Sequence, residues 1–407
     1  STQTLYNGLK VISILRINDT EKEELQMTIS ADHYDELVTI RHHIHENPEL
    51  SGQEFETTAY LKAYLEGLNI EILETGLKTG LVAQVGQGEP VIALRADIDA
   101  LPILENTGLS FASKNAGVMH ACGHDLHQTS LLGAAKILKQ REAELKGTVK
   151  LIFQHAEEAH FGASEVLDTG ILSDVQAIIG YHNMPTLPVG QIGIRAKGVM
   201  AAVDQFFVTV TGVGSHAAYP HEGVDSIVAT SAIVSSLQQI VSRNMDPQRA
   251  VVVSVTHMTA GNTWNVLPDT AIFEGTIRTF NQADRLLAKQ RFYDIVEHVA
   301  KAYGVTAEID WILGTNVTYN DPELSSFLFD ETSRWHDDVV VPELSNAGED
   351  FAAYQEHIPG VFAFIGSNAP GSPGLHFSDM TVKDETLPVA VDYYVNNTFA
   401  ILEKLGK

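Results

Sequence analysis

Apolar residues recur at three- and four-residue spacing from Ala31 to His45 and again from Glu56 to Leu68. That period puts them on one face of a helix, so two amphipathic helices are expected, parted by Asn47-Pro48. The runs Leu81–Val85 and Val91–Ala96 are short and rich in β-formers, and they bracket Gly86-Gln87-Gly88, which predicts two strands joined by a turn. A polar loop through Asn106-Thr107-Gly108 leads to a long helix predicted over about Asp125–Leu145. A buried-type strand at Thr148–Phe153 follows, and another at Ala177–Tyr181. Strands alternating with helices point to an α/β layer structure with a largely parallel or mixed sheet.

Beyond Gly193 the pattern changes. Val203–Thr211 alternates as a strand, Val224–Val241 reads as a helix, and Ala250–Thr256 and Thr270–Thr279 read as strands. Gln282–Tyr303 is strongly helical and Thr306–Trp311 closes the set. The order β-α-β-β-α-β is that of a ferredoxin-like split unit. Residues 194–313 are therefore expected to form a compact second domain, inserted into a first one made of 31–193 and 314–407. Residues 1–30 are set apart as an N-terminal extension with no assigned role.

The chain has 407 residues with 44% hydrophobic content, enough to bury a large core. Its 52 Asp and Glu against 26 Lys and Arg leave a formal charge of −26, which opposes binding to phosphate backbones and anionic membranes. Neither nucleic acid nor a membrane is expected as a partner. Cys122 is the sole cysteine, so no intrachain disulfide is available and a reducing compartment is the simpler expectation. The apolar stretch Val11–Ile17 is short and interrupted by Arg16, resembling neither a signal peptide nor a membrane span. A cytoplasmic location follows.

Candidate chemistry gathers where strands and loops end. In His120-Ala121-Cys122-Gly123-His124-Asp125, a thiol and an imidazole stand two positions apart beside a glycine, just before the predicted helix. Thiolate and imidazole suit zinc and other borderline metals, although a buried small thiol with capping histidines would read the same. In Phe153-Gln154-His155-Ala156-Glu157-Glu158, a buried strand runs into two adjacent carboxylates. One could bind a metal while its neighbour faces water as a base; two solvated glutamates are the plainer alternative. His182 follows the strand Ala177–Tyr181, and His376 follows Gly374-Leu375. Either alone, among 17 histidines, is ordinary. Asp97 and Asp99 alternate at the end of Val91–Ala96, where they could orient ligands from behind or simply form a turn.

Taken in order along the chain, these segments resemble the peptidase M20 family, in particular its amidohydrolase branch of aminoacylases, hippurate hydrolases, auxin-conjugate hydrolases and small-molecule deacetylases. The resemblance covers about Leu37 to Phe399. It rests on His45 to Leu50, Arg95 to Pro102, Met119 to His127, Phe153 to Glu158, Gly214 to Ala218, Asn262 to Pro268, Gly275 to Arg278 and Gly348 to Phe351. It implies a two-domain α/β metallohydrolase, with a mixed-sheet catalytic domain carrying an inserted ferredoxin-like lid and dimerisation domain. Cys122, His124, Glu158, His182 and His376 would be the metal ligands for two divalent ions per subunit (zinc, manganese, cobalt or nickel), with Cys122 as the bridge. Glu157 would take a proton from a metal-bound water and return it to the leaving nitrogen. His216, from the smaller domain, would polarise the carbonyl and could reach across a homodimer. Asn265 and Arg278 would hold the substrate's free carboxylate. Arg278 also has a case of its own, because an unpaired charge is costly in the otherwise apolar and small-residue strand Ala271–Thr279; a structural ion pair is the alternative.

Two positions depart from the family pattern. His155 stands where a proline usually precedes Ala-Glu-Glu, with His160 just beyond, and Leu375-His376-Phe377-Ser378 lacks the proline often found after that histidine. The expected activity is hydrolysis of N-acyl-L-amino acids to a carboxylate and a free amino acid. A metallo-carboxypeptidase or dipeptidase is the alternative within the same chemistry, and a non-catalytic metal-binding relative is the remote one.

Overall fold

The computed structural model describes residues 29–407. Val11–Ile17 and nearly all of the N-terminal extension lie outside the described residues. Eight strands form one mixed sheet, in the spatial order Glu71–Leu73, Leu81–Gly86, Thr148–Gln154, Val91–Asp97, Ala177–Pro188, Gly360–Asn368, Ile192–Gly193 and Val339–Val340. The four from Thr148–Gln154 to Gly360–Asn368 are mutually parallel, and Leu81–Gly86 joins them antiparallel. Every residue of Val91–Asp97 and of Thr148–Gln154 is buried, as parallel strands covered on both faces must be.

The two-residue alternation of a strand explains the layers. Ile92, Leu94 and Ala96 face a core shared with helices Ala31–Glu46, Phe55–Gly67, His124–Gln140, Pro322–Trp335 and Thr386–Leu405. Val91 and Ala93 face the opposite way, into a smaller core completed by Gly162–Asp168 and Phe351–Gln355.

The second sheet has four antiparallel strands in the order Val251–Ala260, Thr270–Thr279, Ala202–Thr211, Thr306–Leu313. Helices Ser226–Leu237 and Gln282–Ala302 pack on it around a separate core that includes Phe206, Phe273 and Phe292. Chain order and sheet order together are those of a ferredoxin-like unit, as the pattern predicts. The segments that lead out and back, Lys197–Met200 and Thr318–Asn320, pair with each other as a short antiparallel ribbon.

Several elements differ from the sequence expectation, among them the helix expected over Val224–Val241, which is Ser226–Leu237 followed by a π-helical turn at Ile240–Asn244. The helix predicted over 125–145 stops at Gln140 and gives way to a 3-10 turn at Glu142–Glu144. The strand expected to end at Tyr181 runs on to Pro188, because Gly360–Asn368 supplies parallel partners as far as Met184 and, past a bulge, again at Pro188. His182 is thus a mid-strand residue. Among the described residues, no helix is long and apolar enough to cross a membrane.

Candidate active site

The carboxyl ends of the parallel strands and the loop before helix His124–Gln140 converge, as open α/β sheets commonly arrange their sites. Gly123, at φ +82°, caps that helix, and it is packed so closely that a Cβ there would sit 2.2 Å from Asn183 Nδ2. The turn places Cys122 and His124 side by side. Cys122 Sγ lies 3.4 Å from His182 Nε2. Ligating atoms of Cys122, His124 and His182 lie within 4.8 Å of one another, and so do those of Cys122, Glu158 and His376. Cys122 therefore belongs to both sets, at their junction.

Hydrogen bonds show which ring nitrogens are free. His124 Nδ1 is held by Asp99 O at 2.9 Å and Asp99 Oδ1 at 3.1 Å, while its Nε2 is buried without a hydrogen-bond partner. His182 Nδ1 is held by Asn183 O at 2.7 Å, which leaves Nε2 for the sulfur side. His376, at φ +66°, is half exposed and puts Nε2 3.3 Å from Glu158 Oε1, an oxygen that is itself buried and without a hydrogen bond. His127, by contrast, has both nitrogens engaged, Nδ1 with Asp97 Oδ1 at 2.6 Å and Nε2 with the Asn183 N–H at 2.9 Å. It cannot ligate without breaking one of them.

Free imidazole nitrogens, a thiol and a carboxylate oxygen aimed at one space make a donor set for divalent metal ions. Charge agrees. Burial pulls His124 down, but Asp97, Asp99 and Glu158 overcome it and hold the ring up to about 10, so this position favours a cation. Burial, with Glu158, Glu157 and Asp97 beside it, pushes the Cys122 thiol well up. A metal ion would reverse both, displacing the proton from each ligand.

Glu157 is buried at the edge of this cluster. Ala156 takes φ +50° and its N–H is held by Glu54 Oε1 at 2.8 Å, which bends the chain as it leaves Thr148–Gln154. Glu157 Oε2 then stands 4.0 Å from His124 Nε2, and Oε1 accepts the Asp350 N–H at 3.3 Å. Burial, then Glu349, Glu158 and Asp350, push the Glu157 carboxyl well above its usual range. Burial, opposed by Arg95, likewise brings Glu349 up to about 8. Asp99 ties the ligand side together, receiving the Glu158 N–H at 3.0 Å and the Ser51 hydroxyl at 2.7 Å. Asp97 binds both His127 and the Arg95 guanidinium.

The second unit contributes none of these contacts. His216 is exposed on the short strand Ser215–His216, with Nδ1 accepting the Ala218 N–H at 3.0 Å. Asn265 lies beside it, its carbonyl accepting the Ala217 N–H. Neither has a hydrogen bond or ion pair to the metal-type cluster among the described residues. Arg278 is half-buried, donating to Asn346 O at 3.1 Å and Ile277 O at 3.3 Å, and to Thr276 Oγ1. Those partners are all neutral oxygens; the nearby Asp204 carboxylate acts on its charge, but no ion pair to Arg278 forms among the described residues.

Sequence reasoning missed the supporting groups: Arg95, His127, Asn183, Glu54, Glu349 and Asp350. Arg95 was within reach, since an arginine inside Val-Ile-Ala-Leu-Arg-Ala-Asp is as costly unpaired as Arg278 is. His127 stands one helical turn from His124 on the same face. Asn183 and Glu54 carry no local signal.

The chain is similar to known proteins along most of its length. The N-acetyl-L-cysteine deacetylase of Bacillus subtilis is 46% identical over 362 residues, covering 88% of this chain and 86% of its own. The IAA-amino acid hydrolase ILR1-like 4 of Arabidopsis thaliana is 38% identical over 375 residues, covering 90% and 85%. The crystal structure of the Bacillus subtilis YXEP protein, a dinuclear metal-binding peptidase, superposes with a TM-score of 0.83 at 42% identity, covering 92% of this chain and 99% of that one. The family model described as peptidase family M20/M25/M40 matches residues 93–397, and the chain, a hydrolase of amide bonds, belongs to that family.

Proposed function

We propose that this protein hydrolyses N-acyl-L-amino acids with two divalent ions per subunit, held by Cys122, His124, Glu158, His182 and His376. The observation that carries the reading is the pair of donor triads meeting at Cys122 with buried Glu157 beside them. The ions, when bound, make water more acidic and polarise the amide carbonyl. Glu157 is the general base: it takes the water's proton and passes it to the leaving nitrogen. Asp97 and Asp99 orient the ligands from behind. Asn265 and Arg278 hold the substrate's carboxylate, and an Arg278 whose hydrogen bonds all go to neutral oxygens supports that role. The relatives named for N-acetylcysteine and for IAA-amino acid conjugates both act on an amide whose nitrogen belongs to an amino acid, which supports the substrate class. Zinc, manganese, cobalt and nickel all suit this donor set.

The chain divides into a catalytic part, 31–193 with 314–407, and a lid and dimerisation part, 194–313. His216 acts from the latter across a homodimer. Support comes from the outer strand Val251–Ala260, which has a free edge, and from exposed Met258, Trp264 and Val266 close to it in sequence. A cytoplasmic setting fits a working thiol with no disulfide partner.

The deciding experiment is a metal-reconstituted assay of N-acetyl, N-benzoyl and indolyl-acyl amino acids beside dipeptides. Faster turnover of the acylated amino acids is expected; preference for the dipeptides would replace this reading with a dipeptidase. Arg278→Ala should raise KM at least tenfold for substrates with a free carboxylate and leave the corresponding amides little changed, about the effect of losing one charged hydrogen-bonding partner. An unchanged KM removes Arg278 from the site.

A further inference from the structure

Arg95 is fully buried, and each of its three nitrogens is engaged. Nε donates to Gln154 Oε1 at 2.8 Å and Nη1 to Asp97 Oδ2 at 2.8 Å, while Nη2 lies 2.8 Å from Asp350 Oδ1 and 2.9 Å from Glu349 Oε1. Glu349 Oε1 also accepts the Phe351 N–H at 2.9 Å, and Glu349 Oε2 is buried with no hydrogen-bond partner. Carboxylate oxygens of Glu157, Glu349 and Asp350 all lie within 4.8 Å of one another. Glu157 thus stands beside an ion-paired cluster, tied to it by the Asp350 N–H and with no ion pair to Arg95 among the described residues. A buried guanidinium attracts any carboxylate in reach, and a base paired to it would be held away from its proton and weakened.

We propose that Glu349 is a positioning residue that keeps Glu157 free: it fills the place on Arg95 that Glu157 would otherwise take. Its neighbours hold it there. Asp350 is locked by Gln154 Nε2 and by the Ala163 N–H at 3.0 Å. The loop before Glu349 is pinned to the crossing ribbon, with Ser345 donating to Val199 O and Ala201 donating to Ser345 O and Ala347 O. Gly348 fits so tightly that a Cβ would meet Thr315 and Val203 side chains at 2.6 Å. With the base tethered at Oε1 and kept off Arg95, its Oε2 faces the ligand His124.

The inference rests on Glu157 being the base, and the two can fail separately. In metal-loaded enzyme, Glu349→Ala should lower kcat at least tenfold with KM within twofold and metal content unchanged. A crystal structure of that variant should show the Glu157 carboxylate turned onto Arg95. Glu349→Met, which keeps volume without an acceptor, carries the same expectation if the alanine variant folds poorly. Glu349→Gln, whose carbonyl can take the place on Arg95, should recover kcat to within about threefold of the parent, since the amide oxygen keeps an acceptor at that place. An unchanged kcat in the Ala and Met variants overturns the proposal. So does a kcat that falls in step with metal content, or a Gln variant as damaged as the Ala variant. Glu157→Gln is the control: it should keep its metal and lose turnover, and an active Glu157→Gln enzyme refutes the base itself whatever Glu349 does.

Discussion

Cys122 is a thiol that ionises with difficulty by itself and readily beside a cation. Burial, with carboxylates beside it, pushes its pKa up, whereas coordination to a metal removes the proton outright. Alkylation should therefore be negligible in the metal-loaded enzyme. After chelation it should appear slowly near neutral pH and quicken as pH rises past the ordinary thiol range, read by mass spectrometry. Rapid labelling of loaded enzyme would contradict ligation. A second residue titrates away from the site. Asp392, on helix Thr386–Leu405, is buried with Oδ1 unpartnered, and burial alone brings its carboxyl up to about 7 from 3.8. Its folded pKa is above its unfolded one, so its contribution to stability is fully present below about pH 4 and is lost as pH rises through about 7. Asp392→Asn should then stabilise the protein at pH 8 by on the order of 1 kcal/mol, a gain that fades toward pH 4. Thermal unfolding of variant and parent across that range measures it, and a pH-independent difference would show that burial of the charge is not the cause.

At the scale of elements, the helix His124–Gln140 holds the site through its first turn. Gly123 has a left-handed φ and its α-hydrogen side abuts Asn183, whose Nδ2 in turn donates to Cys122 O at 2.6 Å. Gly123→Ala should cost at least about 1–2 kcal/mol from backbone conformation alone and more from displacing Asn183. Metal content per subunit should fall with it, because Cys122 and His124 flank the glycine; full metal occupancy with normal stability would show that the turn tolerates a side chain. Periodicity made the strands and helices of both sheets legible, since each buries a regular face. The same local reading misjudged where Ala177–Pro188 ends, because its length depends on Gly360–Asn368, some 180 residues later in the chain, as their pairing shows. The site divides the same way. Cys122, His124, Glu157 and Glu158 announce themselves by adjacency at element ends, whereas Glu54, Asn183 and Asp350 act on them from distant segments. Contacts of that kind have no period and no spacing to read.

At the scale of the whole molecule, the two units separate the chemistry. The donor cluster and Glu157 lie within the larger one, while His216 and Asn265 sit on the smaller one with no hydrogen bond or ion pair to that cluster among the described residues. If His216 serves the partner's site in a two-fold dimer, each active site draws on both chains. Two inactive variants then make a decisive pair. His216→Ala and Glu157→Gln should each abolish turnover as homodimers. Mixed in equal amounts and allowed to exchange subunits, they form heterodimers in half of the population. One site of each heterodimer carries both defects and the other carries neither, so activity should recover to about a quarter of the parent's. Size-exclusion chromatography with light scattering establishes that the exchanged species is a dimer. If mixing restores nothing although subunits exchange, His216 acts on its own chain, and the smaller unit must close over the cluster beside it.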